Sequence, residues 1–281
     1  ITKVTANLRL KRAFVLSEAA GRVLKKRKPT AVDFIMEIES TGCGVIENNA
    51  TRKEEEEEEG NLDSAVVRGC AKVEKWIVCN QLGGGNATIM ANDEKLKHMK
   101  LVPWAGVAAK VSPIMSTNGS GGGGAAYCFL PLPVHTKLPV HVNGYFELSS
   151  NRRDVWWGDD MAGDGRARAE WNKSLVSDIA AICYCRLLAG SIRSQNVTSS
   201  TYEHLLPNSS SITGPWEVLI NVFFSGITKL PILYSSSTNK WMKPSEVMVL
   251  SNDTLSNTSD TSTMTDILTH EKLPLVTFIN P

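Results

Sequence analysis

The sequence predicts an α+β fold, a mixed β-sheet with packed helices, followed by a smaller α/β module. Three observations predict it. Residues 32–39 (VDFIMEIE) and 140–148 (VHVNGYFEL) alternate apolar and polar side chains, the period of a sheet with one covered face. Residues 166–188 place apolar side chains every three or four positions, the period of a helix lying on a core. Hydrophobic residues make up 42% of the 281 and charged residues 21%, enough apolar surface for a sizeable interior.

The elements follow in order. KKRK (Lys25–Lys28) reads as a solvated helix end in preference to a nuclear-import or anion-binding patch, because cations complement a helix C-terminus. VDFIMEIE places Val32, Phe34, Met36 and Ile38 on one strand face. Residues 41–64 carry six consecutive glutamates, Glu54–Glu59, which repel one another and mark a surface loop. VEKWIVCN (Val73–Asn80) is the next strand. QLGGGN (Gln81–Asn86) lacks the Lys-Ser/Thr of a phosphate loop and reads as a turn. Residues 116–124 (STNGSGGGG) form a glycine-rich loop. YCFLPLP (Tyr127–Pro133) is a strand ended by prolines, which suit a sheet edge. After a short connection, Val140, Val142, Phe146 and Leu148 face the core, with His141, Asn143, Tyr145 and Glu147 opposite. Gly144 marks a bulge, a close backbone approach or a tight Asn-Gly turn.

The helix Arg166–Leu188 carries the stripe Trp171, Leu175, Ile179, Ile182 and Leu187, with Asp164 or Gly165 as its cap. Residues 1–193 thus form the main module and 194–212 a polar linker. Residues 213–250 form the smaller module, with a helix at Pro215–Phe224, a strand at Leu230–Ser235 and a helical turn or two at Pro244–Leu250. Residues 251–281 form a polar, mobile tail with a short apolar end.

A net charge of +1 excludes a bulk electrostatic pull toward nucleic acid or an acidic membrane. No apolar run approaches the roughly 20 residues of a membrane span. The six cysteines fit no zinc spacing and read as reduced, mostly buried thiols, as expected of a cytoplasmic protein. The chain begins at Ile1, as a piece of a longer protein would. The five histidines form no ligand pattern, and no nucleophile elbow is present, so nucleophilic catalysis and metal binding have no support.

The chemistry concentrates in SSNRRDVWWGDD (Ser149–Asp160). Arg152 and Arg153 are permanent cations with planar donor forks suited to phosphate or carboxylate oxygens. In a strand-like conformation one would point inward and its neighbour outward. Asn151, Arg152 and Arg153 are therefore the candidate anion-binding residues. Asp154, Trp156, Trp157, Asp159 and Asp160 are the candidate loop supports. The competing reading pairs the arginines with Asp154, Asp159 or Asp160 as structural ion pairs. The aspartates lack the alternate-oxygen spacing and closing Glu of a calcium loop.

The stretches EKWIVCN (Glu74–Asn80), LVPWAGVA (Leu101–Ala108), Cys128–Gly165 and the helix after it resemble the sacsin family. Those are large multidomain proteins related to the ninety-kilodalton heat-shock chaperones. Weaker echoes occur at PWEVLINVFF (Pro215–Phe224), LPILYS (Leu230–Ser235) and KWMKPSEVM (Lys240–Met248), and the likeness covers about two thirds of the chain. The resemblance implies the middle segment of such a chaperone. There, a loop arginine in a Ser-Arg-Glu-like motif contacts the terminal phosphate of a nucleotide held by the adjacent N-terminal ATPase domain. Here Asn-Arg-Arg-Asp makes Arg153, followed by Asp154, the better match and Arg152 an extra cation. Trp156, Trp157 and Gly158 stand where those chaperones have a glutamine nearby.

The nucleotide-cage motifs of that superfamily (a Glu/Asn helix, an Asp-x-Gly-x-Gly turn, a glycine-rich lid) are missing from this sequence. The resemblance therefore implies no enzyme in isolation, and ATP with magnesium only in the adjacent domain. Its implied partners are that domain and protein clients or co-chaperones, not nucleic acid or membrane. The alternative is a non-catalytic protein-binding scaffold whose arginines are structural.

Overall fold

A computed structural model describes residues 7–13, 30–41, 71–112, 123–158, 163–193, 199–235, 237–250 and 274–277. The lysine-rich stretch Lys25–Lys28, the glutamate run, most of residues 116–124, Asp159, Asp160 and the polar tail 251–273 lie outside the described residues.

Alternating side chains build the sheet as predicted. β1 (Asn7–Ala13), β2 (Thr30–Thr41), β3 (Ala71–Leu82) and β4 (Trp104–Ser112) are joined by antiparallel pairing. β2 and β3 match over their whole length, Thr30 opposite Leu82 and Thr41 opposite Ala71. β5 (Ala125–Cys128), β6 (Leu130–His135) and β7 (His141–Gly144) complete seven strands in the order β1-β2-β3-β4-β7-β5-β6. The β5–β7 pair is parallel and makes the sheet mixed. Register aligns one buried row across four strands, Cys79 opposite Val107, Val107 opposite Val142 and Val142 opposite Ala126. That row is the floor of the core, because residues directly opposite on paired strands share a face.

The predicted single strand YCFLPLP is instead two. β5 and β6 fold back on each other at Phe129, whose φ of 62° is the left-handed region. Pro131 and Pro133 sit on β6, the last strand in the order, where their missing N–H groups are best tolerated. Gly144 stays in β7 opposite Ala105 and makes no hairpin turn. The Phe146 ring approaches so closely that a Cβ there would lie 2.9 Å from it.

The predicted helix is one continuous rod in three parts: α2 (Asp164–Leu175), a π turn (Val176–Ala180) and α3 (Ala181–Arg193). It is preceded by the short α1 (Gly85–Ala91), so QLGGGN leads into a helix. The rod lies across β3 and β4 and reaches β2. Trp171, Leu175, Ile179 and Leu187 are buried as the stripe predicts, but Ile182 is exposed and Cys183 takes the inward place. The π turn is the reason, since its wider turn shifts the helical phase of everything after it. The N-cap is Gly163, not Asp164 or Gly165, and Asp164 sits in the first turn, where its charge favours the dipole. Asp178 in the π turn reaches sideways and accepts the Ala87 N–H at 3.2 Å, pinning the start of α1. Gly85, at φ 42°, leaves the room this approach needs. Against the sequence expectation, Asp164–Ile192 is by length and composition apolar enough to cross a membrane. Yet 61% of its most apolar stretch is buried against the chain, as in a core helix.

α4 (Ser199–Glu203) falls inside the expected polar linker, and Tyr202, Leu205 and Ile212 there are buried. The stretch is polar in composition, but its few apolar side chains insert into the core. α5 (Glu217–Ile227) follows a 3-10 turn containing Pro215 and packs on α3, with Phe223 stacked on Tyr184 at 4.3 Å. β8 (Leu233–Ser235) pairs with β9 (Lys240–Met242). Only Pro244–Glu246 is helical in the next stretch. Met248–Leu250 is β10, parallel to β11 (Leu275–Thr277). Residues 213–250 share one continuous set of buried side chains with the sheet and the rod.

Four cysteines among the described residues are free thiols. Cys183 and Cys185 face different neighbours. One sulfur donates toward Ala105 O of β4 at 3.7 Å, the other toward Phe223 O of α5 at 3.6 Å. Burial pushes the Cys185 thiol up to about 11, so it behaves as an inert packing group.

Candidate functional site

The two arginines ride on a narrow loop that leaves β7 and returns toward the rod. Leu148 forms an antiparallel bridge with Val155, and the Trp156 N–H donates to Glu147 O at 3.0 Å. At the tip, Ser149 N–H donates to Asp154 O at 2.9 Å and Arg152 N–H to Ser149 O at 2.8 Å. Asn151 Oδ1 accepts from Ser149 Oγ at 2.7 Å and from Arg153 N–H at 3.0 Å. Asn151 is thus a brace of the turn through that oxygen. Ser149 Oγ also accepts from Asp154 N–H at 3.2 Å.

The arginines do not alternate inward and outward, because the tip is not a strand. Arg152 has φ 56°, residues 150–154 form turn and bend, and Arg152, Arg153 and Asp154 are all exposed. Neither arginine makes an ion pair among the described residues, and Asp154 contributes its backbone rather than a salt bridge.

The anchor of this loop was not singled out from the sequence. Asn172, fully buried on α2, clamps both arms of the stem. Its Oδ1 accepts Glu147 N–H at 2.9 Å, and its Nδ2 donates to Glu147 O at 2.7 Å and Trp156 O at 2.8 Å. Every polar atom of the amide is used, as burial demands. Trp171 beside it donates Nε1–H to Tyr145 O at 2.9 Å. The available signal was an asparagine, a poor helix former, on the buried side of a helix next to the stripe tryptophan.

Trp156 Nε1–H donates to Gly165 O at 2.9 Å, tying the returning arm to the start of α2. Trp157 packs edge-on against Trp216 at 5.7 Å, and Trp216 against Phe146 at 6.3 Å. Glu147 pairs with Arg168 of α2 at 3.5 Å.

Between the loop and the β5–β6 turn lies an open cleft of about 360 Å³, lined by Cys128, Phe129, Tyr145, Phe146, Glu147, Leu148, Ser149 and Arg152. Phe129 is 59% exposed, stacks on Trp104 at 5.5 Å and meets Tyr145 edge-on at 5.6 Å. Burial pushes the Cys128 thiol up. The nearby Arg152 charge opposes this. Among the described residues no three His, Cys, Asp or Glu side chains converge to hold a metal.

Human sacsin is 28% identical to this chain over 256 residues, which cover 84% of the chain. The chain is sacsin-like. The matched region is 5% of the length of human sacsin, so this sacsin-like chain corresponds to a small part of that protein. No family model matches the chain, and no solved structure matches it. The likeness to the middle segment of the ninety-kilodalton chaperones therefore rests on sequence resemblance.

Proposed function

We propose that this chain is a segment of a sacsin-like molecular chaperone in the cytoplasm. In this reading it assists protein folding or assembly by supplying a phosphate-sensing arginine to a neighbouring ATPase domain. The observation that carries the reading is Arg153, an exposed cation without an ion pair among the described residues, on a tip whose stem a buried amide holds in place. A guanidinium carried on an anchored loop stabilises charge on a terminal phosphate with little rearrangement of the backbone that bears it. The nucleotide and its magnesium belong to the adjacent domain, and this chain turns over nothing alone. Its partners are that domain and protein clients or co-chaperones.

The test mixes or fuses the chain with its cognate ATPase domain and follows hydrolysis. Arg153→Ala lowers the stimulated rate about a hundredfold, with unfolding curves unchanged. Equal rates in wild type and Arg153→Ala would leave a protein-binding scaffold as the function.

A further inference from the structure

We infer that the cleft between Phe129 and Arg152 is a docking site for a peptide segment that carries a carboxylate next to an aromatic or branched apolar side chain. Three observations carry it, none of which concerns Arg153. First, the cleft joins an apolar wall to a cation. Phe129 and Tyr145 supply exposed and half-buried ring surface, and Arg152 lines the same space without an ion pair among the described residues. Second, its charge suits one carboxylate. Glu147, the acidic residue of the lining, is engaged by Arg168, so a triphosphate would bring several negative charges toward one unpaired cation and one carboxylate. Third, about 360 Å³ accommodates one large apolar side chain and its acidic neighbour.

The edge of the sheet narrows the mode of binding. Strand addition needs a row of free N–H groups, and the terminal strand β6 carries Pro131 and Pro133. Leu130, next in the chain to Phe129, is 73% exposed. The peptide is therefore held by its side chains. Aromatic and arginine groups at the centre of a contact dominate such binding.

The experiment titrates the 281-residue chain into fluorescein-labelled Gly-Phe-Asp-Gly, with Gly-Phe-Asn-Gly as the neutral control, and reads anisotropy. Saturable binding of the acidic peptide is expected, about tenfold weaker for the amide, for Arg152→Gln and for Phe129→Gly, and unchanged for Arg153→Gln. Phe129→Gly removes the ring at a left-handed position that glycine adopts freely, so the fold is kept. The inference fails if the acidic peptide does not saturate, if acid and amide bind alike, or if both cleft variants bind as wild type. It fails equally if ATP displaces the peptide from wild type, which would make the cleft a nucleotide site. None of these results alters the Arg153-dependent hydrolysis, so the two readings stand or fall separately.

Discussion

The stem and the tip of the arginine loop are a few residues apart and obey opposite rules. In the stem, Glu147 and Trp156 give their backbone groups to Asn172, an amide with no solvent exposure. At the tip, Ser149, Asn151 and Asp154 bond to one another and to the backbone N–H groups of Arg152 and Arg153, and the cationic side chains are exposed. The difference teaches how a chain can hold exposed charge in a defined place without neutralising it. Order enters from the buried helix through backbone groups, and the charged side chains are left uncommitted.

The largest expected effect tests the stem. Asn172→Ala leaves Glu147 N–H and Trp156 O without their partner, while Glu147 O keeps the Trp156 N–H, and costs about 3 kcal/mol, read as a lower urea midpoint. A loss below about 1 kcal/mol would mean that water replaces the amide easily and that the stem is no more ordered than the tip. Ser149→Ala comes next. It removes the hydroxyl that joins Asn151 to Asp154, at a cost of about 1 kcal/mol because the site is wet. Proteolysis at the tip should accelerate more than global unfolding does.

A pH series separates the regions again. His141 on β7 accepts the Ala125 N–H through Nδ1 at 3.1 Å, packs near Trp76 and Tyr127, and is held below its ordinary 6.5 by burial. The unfolded chain therefore binds the proton more readily than the folded one. This contribution is complete above pH 6.5 and is lost as pH falls toward the lower folded value. Urea midpoints measured downward from neutral pH should show the loss, and His141→Gln should weaken it. The smallest effect belongs to the tip cations. Arg152→Gln and Arg153→Gln each change stability by no more than about 0.5 kcal/mol, since neither side chain is paired among the described residues. A larger change in either would place that arginine in the packing of the stem.

Periodic patterns were legible where one force dominates. Residues 32–39 lie in β2, and the alternation in residues 140–148 and the stripe from Trp171 to Ile179 read correctly because burial of one face decides them. What escaped was structure made by single groups acting across long separations. Nothing local announces that Phe129 turns the chain back in a left-handed conformation, a costly choice for an aromatic residue. Asn172 reads as an ordinary helix residue until the arms of the loop are placed against it. The site residues themselves were visible as a cluster of cations. Their exposure followed from a turn that the strand pattern concealed. Asp159 and Asp160 lie outside the described residues.

The π turn at Val176–Ala180 sets how the two ends of the rod are aimed. One residue of an α-helix spans about 100° of rotation. Deleting a single residue from this turn would restore ordinary winding and leave Tyr184 and Cys185 at nearly the same angle about the axis relative to Trp171 and Asn172, because the wide turn takes up one extra residue. The rod would then still present one face to the sheet and the loop and another to α5. A gene encoding this chain should therefore tolerate the loss of one codon in this segment, other than that of Asp178, better than elsewhere in the rod.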